Sequence, residues 1–272
     1  MVGPDGLIRG LRPPRERGSW LGRHPNVIRV LTVGAFLTAW ELYGRSLNPI
    51  FLSYPTAVTG AFVELILSGQ LFNAMVQSLS ALALGFSVSI VAGIVIGLLM
   101  GRYRTIFFAL DPFVTALYNT PSVAVIPLIQ LWFGLGFQAK VVIVILSAFF
   151  PIVINTFAGV RNTSRGMVDV VRAFGASERQ VMTKVVLPAA VPFIMAGLRL
   201  AVGRAVIGIV VAEFFTAVSG LGGLIIVFSN SFATAKLFVP VITLVVLGLV
   251  LTAAARALEA RFATWKETER AT

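Results

Sequence analysis

Long apolar runs, separated by short breaks rich in arginine or glycine, set the pattern of this chain. Windows almost free of charge, each long enough to cross roughly 30 Å of hydrocarbon as a helix, fall at 27–44, 78–100, 112–134, 140–160, 193–217 and 237–255. The pattern therefore predicts an all-α, polytopic fold with six membrane-spanning helices. Between the first two windows, Val58, Ala61, Phe62, Leu65 and Ile66 recur at helical spacing from Pro55 to Gly69, which predicts a short amphipathic helix lying on the outer membrane surface. Between the last two, the glycines at 220, 222 and 223 predict a turn, followed before Lys236 by a short re-entrant or surface helix.

Composition agrees with the pattern. Of 272 residues, 57% are hydrophobic and 12% charged, and the mean hydropathy is +0.92, well outside the range of soluble domains. There is no cysteine and one histidine, His24, so thiolate chemistry and most metal or acid–base schemes are excluded. The net charge of +11 reads as membrane topology rather than nucleic-acid binding, because the basic residues alternate sides. Arg9, Arg12, Arg15, Arg17, Arg23 and Arg29 lead into the first window, and Arg102 and Arg104 separate the second from the third. Arg161, Arg165, Arg172, Arg179 and Lys184 lie between the fourth and fifth, and Arg256, Arg261, Lys266 and Arg270 at the end. The other loops carry little beyond Arg45, Lys140 and Lys236. Both termini are expected in the cytoplasm, with a basic segment 1–26, a membrane domain 27–260 and a tail 261–272. Glu41 and the long basic leader fit a cleavable signal poorly.

Small residues form a second regularity. Gly85, Ser89, Gly93, Gly97 and Gly101 are four apart, a flat helix face against which another helix can lie closely. Gly197, Ala201 and Ala205 repeat the device in the fifth window. Packing within the chain and packing against a second subunit both satisfy the pattern.

The one long cytoplasmic connection, 161–193, encodes a hairpin. Met167, Val170, Val171 and Phe174 are spaced to give one apolar helix face, and Gly175 suits the left-handed residue that ends a helix. Ser177 and Gln180 form a capping-box pair that starts a second helix, which Pro188 is expected to stop. A rigid element outside the membrane with an apolar stripe calls for a docking partner.

At this hairpin the chain resembles the permeases of type I ATP-binding-cassette importers. Their loop pattern is Glu-Ala-Ala, three residues, Gly, nine residues, Ile, one residue, Leu-Pro. Gly175, Val185, Leu187 and Pro188 keep its spacing, with Asp169, Val170 and Val171 in place of Glu-Ala-Ala. Further stretches, "DPFVTALYNTPSVAVIPLIQLWFGLG" from Asp111, "VVLPAAVPFIMAGLRLAVGRAVIGIVVAEF" from Val185 and "GLGGLI" from Gly220, resemble the branch that imports aliphatic sulfonates, taurine and nitrate. The resemblance implies a bacterial inner-membrane permease that works as two copies with two separate ATPase subunits and an extracytoplasmic binding protein. ATP and Mg belong to the ATPase, so this chain needs no cofactor or metal and is not itself an enzyme. It also implies a coupling role for Asp169, Gly175, Ala176, Ser177, Glu178, Arg179, Leu187 and Pro188. The outer helix and the segment from Gly220 to Lys236 are the implied binding-protein contacts. None of the four lysines ends a phosphate-binding glycine loop, in keeping with an external energy source.

Polar residues within the spans are the candidates for a solute pathway or gate. Pro112, Pro121 and Pro127 interrupt the third window, and Asn119, Thr120 and Ser122 surround the middle proline. A broken helix with polar residues suits either a lined cavity or a compensated kink. Gln130 and Asn155 are further candidates, each equally readable as a helix-to-helix hydrogen bond. Arg199 sits where it can snorkel to the cytoplasmic interface. Arg204, about 8 Å deeper, can attract an anion or pair with an acid on a neighbouring helix. Glu213 is the deepest acid, and Glu41 with Arg45 is an i,i+4 pair. The rival reading is an ion-coupled secondary transporter, which needs coupling carboxylates of its own and has only Glu213 to offer.

Overall fold

A computed structural model describes residues 25–216 and 219–263. The basic leader with His24, and the tail with Lys266 and Arg270, lie outside the described residues. Helices come in the order α1 Pro25–Ser46, α2 Pro55–Leu67, α3 Gln70–Arg102, α4 Arg104–Asn119, α5 Ser122–Phe133, α6 Phe137–Arg161, α7 Arg165–Ala173, α8 Glu178–Val181, α9 Leu187–Phe215, α10 Gly220–Asn230 and α11 Thr234–Ala263. Five of the six predicted spans appear as α1, α3, α6, α9 and α11.

The predicted third span is not one helix. Its two halves, α4 and α5, meet at 104° across Thr120 and Pro121. Thr120 is extended (φ −73°, ψ 128°), as a residue before proline prefers, so the chain leaves α4 in a new direction rather than bending gently.

The bundle is built around α6, which is buried on two sides, one facing α3 and the other α9. The small-residue stripe of α3 makes the first contact possible. A Cβ at Gly85, Gly93, Gly97 or Gly101 would lie 2.8, 2.9, 2.6 or 2.5 Å from the Cβ of Val144, Ile152, Thr156 and Val160 respectively, so one side chain of α6 fills each gap. Ser89, within the stripe, donates to Gly85 O at 2.8 Å. Gly197 of α9 accommodates Asn155 of α6 in the same way. Both stripes thus serve packing within the chain.

Pro188 does not end the second hairpin helix. Helix runs unbroken from Glu178 to Phe215, with a π-helical turn at Met182–Val186 in which Leu187 N–H reaches Met182 O. A proline has no N–H for the ladder, and its ring crowds the carbonyl four residues back. A widened turn just before it relieves both problems.

The short helices α2 and α10 share one apolar cluster in which Val58, Ala61 and Leu65 meet Leu71, Leu221, Phe228 and Val239. Of the five apolar residues at helical spacing in α2, Val58, Ala61 and Leu65 are buried in the protein, and Phe62 and Ile66 are exposed. Each short helix begins at a carboxylate from a preceding span. Glu41 accepts Thr56 N–H at 3.0 Å at the start of α2, and Glu213 accepts Gly222 N–H at 2.8 Å at the start of α10. Lys236 pairs with Glu64 at 2.6 Å and ties α11 to α2.

Candidate functional site

The cytoplasmic hairpin is specified locally and then fastened to the bundle. α7 closes with Gly175 N–H to Arg172 O (2.9 Å) and Ala176 N–H to Val171 O (3.2 Å), the paired bonds of a Schellman cap, with Gly175 at φ +79°. Ser177 then caps α8. Its Oγ accepts Gln180 N–H at 3.3 Å, and Gln180 Oε1 accepts Ser177 N–H at 2.8 Å. Glu178 holds Arg172 at 2.9 Å and also pairs with Arg102 from the end of α3. Val168 and Val171 turn inward onto Val160, Val181, Ala190 and Ile194. Met167, Val170 and Phe174 face outward, Phe174 87% exposed. The expected stripe is therefore divided, with Val171 fixing the hairpin and the other three forming a free apolar face. Asp169 borders a cavity of about 360 Å³ together with Arg102, Arg161, Arg165 and Arg172. Arg179 is exposed, and Leu187 and Pro188 begin α9 beneath the hairpin.

A second feature lies at the α4–α5 break. A cavity of about 450 Å³ opens there, lined by Tyr118, Asn119, Thr120, Pro121, Ser122 and Arg204 among others. Asn119 and Thr120 side chains donate back to Thr115 O (2.8 Å) and Ala116 O (2.9 Å), each one helical turn earlier. Arg204 forms no ion pair among the described residues, and its guanidinium carbon sits 5.5 Å from the Tyr118 ring centroid. Of its two readings, the partner acid is therefore lacking among the described residues. Arg199 pairs with Glu259 of α11 at 2.9 Å.

The remaining polar candidates lie elsewhere. Gln130 donates to Phe215 O, linking α5 to the end of α9. Asn155 donates to Pro151 O at 2.8 Å, on α6 against Gly197. Glu213 is fully buried among groups that no local sequence pattern singles out. Ser78 donates to Glu213 Oε1 at 2.7 Å, Lys140 Nζ lies 3.7 Å from the same oxygen, and Lys140 also reaches Ser219 Oγ at 2.6 Å. Leu221 N–H donates to Ser78 Oγ at 2.8 Å. Four helices, α3, α6, α9 and α10, converge on this network. By sequence Lys140 is a loop residue near a span end, and its burial carries no periodic signal.

Comparison with known proteins identifies the family. Residues 89–264 match the family of the binding-protein-dependent transport system inner membrane component. The chain belongs to this family. A putative aliphatic sulfonates transport permease of Bacillus subtilis (strain 168) is 34% identical over 94% of this chain and 91% of its own length. A formylaminopyrimidine transport permease of Halalkalibacterium halodurans is 32% identical over 85% of this chain and 92% of its own. Among solved structures, a chain of the MetNI methionine ABC transporter in an inward-facing form superposes with a TM-score of 0.60 at 19% identity, covering 68% of this chain and 93% of that one. This permease thus has the fold of type I ABC importer permeases and is a multi-pass inner-membrane component of a binding-protein-dependent importer.

Proposed function

We propose that this permease forms the translocation pathway for a small, anionic solute of the sulfonate, taurine or nitrate kind, and that it couples uptake to ATP hydrolysis by a separate ATPase through the α7–α8 hairpin. The observation that carries the reading is the hairpin itself. It is capped at its bend, packed on the bundle through Val168 and Val171 and tied to it by Glu178 and Arg102, and it leaves Met167, Val170 and Phe174 exposed. A stiff element passes on the motion of a neighbour, where a loose loop absorbs it. In this reading Asp169, Gly175, Leu187 and Pro188 shape the element, and Ala176, Ser177, Glu178 and Arg179 meet the ATPase at its bend. Two copies of the permease, two ATPase subunits and a binding protein resting on α2 and α10 make up the assembly, with both termini in the cytoplasm. The domain limits, with a coupling loop 161–193 between spans, belong to the same reading. An ion-coupled transporter needs a carboxylate free to exchange its ion. Glu213 already holds Ser78, Gly222 and Lys140, which speaks against that rival.

The test is co-purification of tagged permease with its ATPase, together with solute uptake by liposomes holding the whole importer. Phe174→Asp is expected to release the ATPase. Gly175→Val, which strains a left-handed residue by about 1–2 kcal/mol, is expected to keep the ATPase but hydrolyse ATP without matching uptake. Retention of the ATPase by Phe174→Asp with full uptake sinks the coupling role.

A further inference from the structure

We propose that the cavity at the α4–α5 break is an anion site belonging to the permease itself, in which Arg204 receives the sulfonate head of an aliphatic sulfonate and the apolar walls receive its alkyl chain. The proposal rests on the translocation reading above and adds to it the group that recognises the solute inside the membrane.

Three observations converge. A guanidinium within a span is costly unless something answers its charge. Arg204 has no carboxylate partner among the described residues. The acid of α4, Asp111, precedes Tyr118 by two helical turns, about 10 Å along the axis. Glu213 is about 14 Å farther along α9 and committed to Lys140 and the start of α10. The guanidinium carbon lies 5.5 Å from the Tyr118 ring centroid, and such a contact with a ring does not use up the N–H donors of the guanidinium.

The second observation is the start of α5. Ser122 and Val123, its first residues, line the same cavity, and no side chain caps that helix end. The unpaired amides and the positive end of the helix dipole therefore add to the field of Arg204. Arg204 is the one charged side chain of the lining among the described residues, and Asn119, Thr120 and Ser147 donate to backbone carbonyls.

The third is shape. Leu117, Val125, Leu146, Phe150 and Ile207 form the apolar part of the wall, and a cavity of about 450 Å³ suits a small amphipathic ligand. A sulfonate oxygen triad with a short hydrocarbon tail matches a cationic edge beside an apolar wall. The solute is recognised twice on this account, once by the binding protein and again by the pathway.

The probe is radiolabelled ethanesulfonate, retained by the detergent-solubilised permease–ATPase complex without binding protein, and taken up by liposomes holding the whole importer. Wild-type complex is expected to retain it saturably. Arg204→Gln is expected to weaken retention about tenfold or more, the loss of a charge-assisted hydrogen bond, and to lower uptake by the liposomes with it. Arg204→Lys should recover part of the retention. Melting temperatures taken alongside separate this from a folding defect. Should Arg204→Gln fail to fold, Ile207→Trp serves instead and should reduce retention of hexanesulfonate more than of ethanesulfonate. Absence of saturable retention by the wild type, or retention indifferent to Arg204→Gln, overturns the site. If stimulated ATP hydrolysis is missing in the wild type while retention still depends on Arg204, the importer reading fails and the anion site stands.

Discussion

Lys140 and Glu213 show how one pair of side chains can hold several helices in register. A buried charge is tolerable only when paired and hydrogen-bonded, and each charge here has a serine partner besides the other. Removing one partner should therefore cost more than removing both. Lys140→Met is expected to destabilise the protein by about 3–5 kcal/mol, and the double change Lys140→Met with Glu213→Gln to recover part of that loss, as read from melting of the purified protein in a double-mutant cycle. None of this is visible in the sequence beyond the acid itself. Lys140 and Ser78 stand on other helices, and nothing in local spacing links them to Glu213. Residues that act through local chemistry are legible, among them Gly175, Ser177, Gln180 and the Glu41–Arg45 pair, which the structure gives at 2.7 Å.

The contact between α3 and α6 is a property of two surfaces rather than of any single side chain. The four-residue spacing of small positions announces a close helix neighbour, yet only the tertiary structure says that α6 is that neighbour. Val144, Ile152, Thr156 and Val160 repeat at the same interval as the glycines they fill. Gly97→Val would force the two helices apart and should destabilise by about 1–3 kcal/mol, measured by thermal melting of the purified protein. Gly60→Ala in α2, where an added Cβ meets nothing within 4 Å, should leave the melting temperature unchanged or raise it slightly. The break between α4 and α5 is legible as a disturbance from Pro121, but its 104° angle is not. A proline fixes the residues beside it, whereas the direction of α5 is set by its packing on α6.

The molecule as a whole is the most legible level, because hydrocarbon thickness and the side preference of arginine constrain a chain more tightly than soluble packing does. Five of the six spans come from composition and period alone, and the bend of the hairpin from the chemistry of Gly175, Ser177 and Gln180. Orientation is directly accessible to experiment, since the chain lacks cysteine and offers a clean background for labelling. Single cysteines at Ser19 and Thr268 should react with a membrane-impermeant maleimide only in inverted or permeabilised vesicles. A cysteine at Asn48 should react from the outside of intact cells. Labelling of the termini from outside would reverse the topology and place the hairpin beyond reach of any cytoplasmic ATPase.

The widened turn at Met182–Val186 sets the bearing of the hairpin. One residue of helix corresponds to about 100° of rotation. Were this stretch an ordinary α-helix with one residue fewer, the bend at Gly175 would swing by that amount about the axis of α9, and Glu178 would lose sight of Arg102. The azimuth at which this permease offers its cytoplasmic knob is thus fixed by a local residue count, beside a proline that makes the longer count comfortable.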